Sequence, residues 1–106
     1  MNPQQRKSNL DLCVLALLSK SDMYGYELVN RISDAVSVSE GTIYPLLKRI
    51  KDEGLVTTYL KESNEGPPRK YYAITDIGLR RKDVLKNEFV AYVKGMNAIL
   101  EGAEIL

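Results

Sequence analysis

A chain of 106 residues, 44% hydrophobic and 27% charged with a formal net charge of +1, is the size and mix of one soluble globular domain, without room for a large pocket beside its core. It holds no histidine and one cysteine. That excludes an internal disulfide and removes the commonest general base and metal ligand, so neither catalysis, a metal nor a cofactor is expected. The glycines are dispersed rather than gathered in a phosphate loop, and the carboxylates lack metal-ligand spacing. No apolar run reaches the ~18 residues of a membrane span, and the N-terminal "MNPQQRK" does not lead into a signal-peptide pattern, so a cytoplasmic protein is expected.

The first helical window runs from about Ser8 to Lys20, with Ser8 or Asn9 as cap and Asp11 in the first turn, where its charge suits the helix dipole. Leu10, Leu12, Cys13, Val14, Leu15, Leu17 and Leu18 cover nearly its whole circumference. Such a helix must be buried on several sides, and Cys13 reads as a small hydrophobe rather than a reactive thiol. Asp22 then caps a second helix from Met23 to about Val36, in which Leu28, Val29, Ile32 and Val36 recur at helical spacing.

After a break at Ser37 and Ser39, a third helix ends at Gly54. Ile43, Leu46, Leu47 and Ile50 fall on its inner face, with Gly41, Pro45, Lys48 and Asp52 opposite. Thr42 and Arg49 lie on one flank, and Tyr44 and Lys51 on the other. Pro45 is the anomaly, because a proline inside a helix removes a bond and crowds the preceding turn. With Ser39 as cap it sits in the second turn; with Thr42 as effective cap it sits in the first, without strain.

"LVTTYLK" and "RKYYAIT" are rich in β-branched and aromatic residues and read as two antiparallel strands, with Tyr72 the tyrosine that faces the core. Between them "ESNEGPP" is too long for a tight turn and reads as a projecting loop. Thr75 can cap a last helix running nearly to the end. Leu85, Phe89, Tyr92, Met96, Ile99 and Ala103 repeat there as a heptad seam, widened by Val93 and Leu100, whose expected partner is a second copy of the chain. Arg80, Arg81 and Lys82 precede the seam and are expected in water.

Three short helices followed by a hairpin is the order of a winged helix-turn-helix, so the expected fold is mostly α with a small β-hairpin (α+β). Residues 1–75 would form the DNA-binding domain and residues 76–106 a C-terminal dimerisation helix. "YGYELVNRI", "GTIYPLLKRIKDEGLV" and "RKYYAITDIG" resemble successive signatures of the PadR family of bacterial transcriptional regulators. The resemblance covers roughly residues 10 to 80 and implies a homodimeric repressor of an inverted-repeat operator, commonly relieved by a small molecule. With about 30 residues after Thr75, the chain resembles the short subgroup with a single C-terminal helix, some of whose members bind flat hydrophobic compounds between subunits. Its wing departs from the family's glycine- and arginine-rich form, since Pro67 and Pro68 leave Arg69 and Lys70 as the basic residues there.

If the third helix enters a major groove, its N-terminal half, with Ser39, Gly41, Thr42, Tyr44 and Pro45, approaches the bases, Thr42 and Tyr44 being the candidates for base or sugar contact. Lys48 and Arg49 would meet phosphates, as would Arg69 and Lys70 at the wing base and Tyr24 at the start of the second helix. The bland alternatives are that Tyr44 packs on the hairpin, that Tyr26 fills core, and that the basic residues are merely solvated. The partners expected are double-stranded DNA and a second copy; the seam around Phe89 reads first as simple dimer core, with a planar aromatic small molecule sandwiched between two copies of Phe89 as the alternative. Two further functional classes stay open: a winged-helix module that docks a protein, and a dimer that sequesters a ligand.

Overall fold

The computed structural model describes the backbone of residues 2–105 and the side chains of residues 2–102. Helix α1 spans Pro3–Leu18, strand β1 Met23–Tyr24, helix α2 Gly25–Ala35 and helix α3 Glu40–Asp52. Strands β2 (Val56–Ser63) and β3 (Gly66–Ile74) follow, and helix α4 runs over Asp76–Ile105. This is a winged helix with a long C-terminal helix, as expected. The side chain of Ala103, which the heptad reading put in the seam, lies outside the described residues.

Several local expectations are corrected. Helix α1 begins at Pro3, not near Ser8, because Asn2 and Gln5 close a capping box: the Gln5 N–H donates to Asn2 Oδ1 at 2.8 Å and the Asn2 N–H to Gln5 Oε1 at 3.3 Å. Proline at N1 costs nothing there, since its missing donor would have had no helical partner. Asp11 consequently sits beyond the first turn, where it is buried rather than facing the dipole.

Asp22 does not cap α2. It accepts a hydrogen bond from the Tyr59 hydroxyl at 2.7 Å. Met23 and Tyr24 are not helical but pair antiparallel with Tyr72 and Tyr71, making a three-stranded sheet in the order β1-β3-β2. The expected projecting loop is also absent. β2 and β3 run on to a two-residue turn at Asn64 and Glu65, with Ser63 opposite Gly66. The register shifts between Lys61 and Ser63, opposite Pro67 and Pro68, as suits residues without a ladder donor.

The core gathers Val14, Leu15 and Leu18 of α1, Leu28 and Ile32 of α2, Ile43, Leu47 and Ile50 of α3, and Leu55, Val56 and Tyr72 around the sheet. Tyr72 is therefore the inward tyrosine, as expected. Cys13 is half-buried against this core, which pushes its thiol above the ordinary range and suits a packing role.

Two glycines fix how α3, β2 and α4 join. Gly54 ends α3 at φ 77°, the left-handed conformation that stops a helix. Thr75 then ties the sheet to α4: its N–H donates to the Leu55 carbonyl at 3.1 Å, its hydroxyl to the Gly54 carbonyl at 2.7 Å, and its Oγ1 accepts from the Gly78 N–H at 3.1 Å. A Cβ at residue 78 would overlap the Leu55 carbonyl oxygen and stand 2.7 Å from Ile74 Cγ1. Gly78→Ala is thus expected to lower stability by about 1–3 kcal/mol through this overlap. In urea titrations it should cost more than Gly54→Ala, which adds only a left-handed residue at about 1–2 kcal/mol.

Candidate nucleic-acid interface

Helix α3 presents two unlike faces. Ile43, Leu46, Leu47 and Ile50 are buried, while Ser39, Gly41, Thr42, Tyr44, Pro45 and Lys48 are exposed. The residues brought together at its leading end are therefore small or rigid. Ser39 is the N-cap by backbone geometry: its carbonyl accepts from the Thr42 and Ile43 N–H groups, and its hydroxyl lies 3.3 Å from Thr42 Oγ1. With Ser39 as cap, Pro45 stands in the second turn. Having no N–H, it leaves the Gly41 carbonyl without the usual helical donor, on the exposed side where water or a ligand can satisfy it.

Tyr44 is 43% exposed. Its ring edge lies so near Gly25 that a Cβ there would stand 3.3 Å from Tyr44 Cε1 and 3.6 Å from Tyr72 Cε1. Tyr44 thus closes the corner between α3, the start of α2 and β3, while keeping part of its surface in solvent.

The two basic residues of α3 have different surroundings. Lys48 is 80% exposed and, among the described residues, pairs only with Asp52, one turn on, at 3.1 Å. Such an exposed i,i+4 pair contributes about 0.3–0.5 kcal/mol and exchanges readily. Arg49 is held from two sides: Nη2 meets Asp11 Oδ1 at 2.6 Å and Nη1 meets Glu53 Oε1 at 3.3 Å. The Asp11 hydrogen bond is the main cause that raises the affinity of Arg49 for its proton, against the opposing effect of burial.

A second group of residues lies on the outer face of the sheet. Tyr24, Tyr71 and Tyr59 are cross-strand neighbours, with ring centroids 5.7 and 5.6 Å apart, and Tyr26 stacks on Tyr24 at 6.4 Å. Tyr26 does not fill core, being 59% exposed. Lys61 and Arg69 stand directly opposite one another, a destabilising arrangement for like charges. Each is instead placed over a ring, Lys61 5.3 Å from the Tyr71 centroid and Arg69 4.7 Å from that of Tyr24. Neither is ion-paired among the described residues. Strand alternation turns Lys70 to the other face, opposite Leu60. Lys61 was missed in the sequence because its meaning comes from a cross-strand partner; the available signal was a tyrosine and a basic residue two positions apart on each strand, Tyr59 and Lys61 on β2 and Arg69 and Tyr71 on β3.

On α4, Leu85 packs against the core, but Phe89, Tyr92, Met96, Ile99 and Leu100 are 40–68% exposed. Val93 is half-buried. Arg80 and Arg81 are exposed as expected, whereas Lys82 is partly covered and pairs with Asp83 at 3.0 Å. A cleft of about 280 Å³ separates α4 from the start of α1, with Leu85, Phe89, Tyr92 and Glu88 on one wall and Gln4, Gln5, Ser8 and Asn9 on the other. Among the described residues no group of three or more His, Cys, Asp or Glu could hold a metal ion, and no helix is long and apolar enough to cross a membrane.

A small three-stranded sheet packed on three helices, with an exposed polar α3 and a basic hairpin, defines a winged-helix protein of the DNA-binding regulator type. Residues 14–83 match the model of the transcriptional regulator PadR-like family, so the chain belongs to that family, which is one of regulators and not of enzymes. A solved protein from Streptococcus mutans is similar at 35% identity and a TM-score of 0.85, over 91% of this chain and 90% of that one. A PadR-like transcriptional regulator from Bacillus cereus is similar at 40% identity and a TM-score of 0.81, over 92% and 96%. The negative transcriptional regulator PadR of Bacillus subtilis is 30% identical over 73 residues, 65% of this chain and 40% of that protein.

Burial, and to a lesser degree the charge of Tyr44, pushes the Tyr72 phenol above its ordinary value. The fold therefore favours the neutral phenol; that stabilisation is present in full below about pH 10 and is lost as pH rises through the higher folded value. Urea midpoints measured from pH 8 to 11 should fall above pH 10 in the native chain and fall less steeply in Tyr72→Phe.

Proposed function

We propose that the protein is a repressor that binds an inverted-repeat operator as a homodimer, with α3 in the major groove and the hairpin against the backbone. The observation that carries this reading is the solvent face of α3. It is small at its leading end, basic at Lys48 and free of large apolar side chains except for the half-exposed Tyr44. A protein-docking face would instead present a contiguous apolar patch there. In this reading Thr42 and Tyr44 approach base edges or sugars, Ser39, Gly41 and Pro45 let the helix come close, and Lys48 meets phosphate. Arg69, joined by Lys61, faces the backbone from the sheet's outer side, while Tyr24 serves as the platform that holds Arg69. Lys70 reaches it from the opposite face of β3.

The exposed stripe of Phe89, Tyr92, Met96, Ile99 and Leu100, with Val93 at its edge and Leu85 at its root, supports the dimer. An apolar row of that length on a soluble helix needs a cover, and heptad spacing suits a copy of itself. The α1–α4 cleft supports a ligand that relieves repression, since it offers the Phe89 and Tyr92 rings on one wall and side-chain amides on the other. A planar aromatic molecule with a polar edge fits that lining.

A gel shift on the DNA upstream of the chain's own gene tests the reading. Lys48→Glu replaces an exposed cation whose ion-pair partner, Asp52, is one turn away, so the fold should persist while affinity falls about tenfold or more, because an attraction to phosphate becomes a repulsion. Native affinity in Lys48→Glu, or no shift by the unaltered protein on any inverted repeat, contradicts it.

A further inference from the structure

Asp11 is the buried charged side chain among the described residues, 6% exposed and surrounded by the α1 core positions Leu10, Val14 and Leu15. A carboxylate in that setting is costly unless paired, and a leucine of similar size would serve packing better. Its partner is Arg49, 38 positions away on α3, whose guanidinium is tethered again by Glu53 at the end of the same helix. Arg49 thus reaches back from the flank of α3 to α1, while Lys48, the preceding residue, stands in solvent beside Asp52.

From this we infer that Arg49 acts on DNA only through Asp11. It is a positioning residue that sets how α3 lies against α1, and through that the angle at which α3 meets the groove. The inference rests on the DNA-binding reading and changes one part of it. Apolar contacts along α3 are non-directional and permit it to roll or slide by a fraction of a residue. A charge-assisted hydrogen bond of 2.6 Å between two helices does not. Base contacts are sensitive to such displacements, whereas phosphate contacts made by long flexible side chains are not. The pair should therefore govern discrimination between sequences more than overall affinity for DNA.

The two roles leave different signatures in salt dependence. A phosphate contact adds about 0.9 to the slope of log affinity against log salt, and a positioning residue adds nothing. Removing Arg49 alone would strand the Asp11 charge, so the informative variants are Asp11→Leu, which keeps every cation, and the double variant Asp11→Leu/Arg49→Met, which replaces the pair with apolar groups. Each would be titrated by fluorescence anisotropy against two duplexes across a salt series. One duplex is selected by the unaltered protein from a random library, and the other is its scrambled version. Lys48→Gln serves as the phosphate-contact standard, and thermal melting verifies that each variant is folded.

The expected result is that Asp11→Leu and the double variant lose about tenfold or more of the preference for the selected duplex. Their affinity for the scrambled duplex and their salt slopes should stay at the unaltered values, while Lys48→Gln lowers the slope by about one. Full preference in Asp11→Leu, or a slope lowered by about one in the double variant, overturns the positioning role and returns Arg49 to direct phosphate contact. If the unaltered protein selects no duplex, the DNA-binding reading itself fails; if it does and Lys48→Gln leaves the slope unchanged, the placement of α3 in the groove fails; either outcome overturns the positioning role.

Discussion

From Ser8 onward helix α1 has no face it can give wholly to water: Leu10, Val14, Leu15 and Leu18 are buried, and Cys13 and Leu17 pack against the same core. The remaining elements are arranged to cover it. α2, α3 and β3 lie against one part of its surface and α4 against another. Burying one such leucine contributes roughly 1.5–3 kcal/mol, and α1 supplies several, which is more than any surface pair in the molecule can match. Helix α3 and the long C-terminal helix therefore share one support.

That arrangement explains where polar groups enter the interior. Asp11 and Thr75 mark the two junctions that apolar packing alone would leave loosely defined. Asp11 ties α1 to α3 through Arg49. Thr75 ties the end of α3 and the start of β2 to the first turn of α4, and Gly78 provides the close approach this needs. Both junctions lie beside the surfaces proposed to meet DNA and the second copy, where relative geometry matters most.

The inward and outward faces of α3 and the inward tyrosine of β3 were legible in the sequence because each follows from a local period, 3.6 for the helix and 2 for the strand. The motif around Thr42, Tyr44 and Pro45 further pointed to the family. What was not legible depends on contacts distant along the chain. β1 is two residues long and exists only because Tyr71 and Tyr72 are there to pair with it. The start of α1 was placed too late because Pro3, Gln4, Gln5 and Arg6 are polar and carry no apolar period, although the Asn-Pro-x-Gln cap was present. The roles of Asp11, Asp22 and Lys61 each come from a partner some tens of residues away or across a strand, and no pattern in composition announces them.

In the proposed complex two copies, joined along α4, present two α3 helices to adjacent major grooves on one side of a duplex. Hydroxyl-radical footprinting of the dimer on its selected duplex tests this most directly. The account predicts two protected segments related by dyad symmetry, their centres one helical turn, about 34 Å, or a whole multiple of it apart. A single protected half-site, or two protections on opposite sides of the duplex, would contradict it.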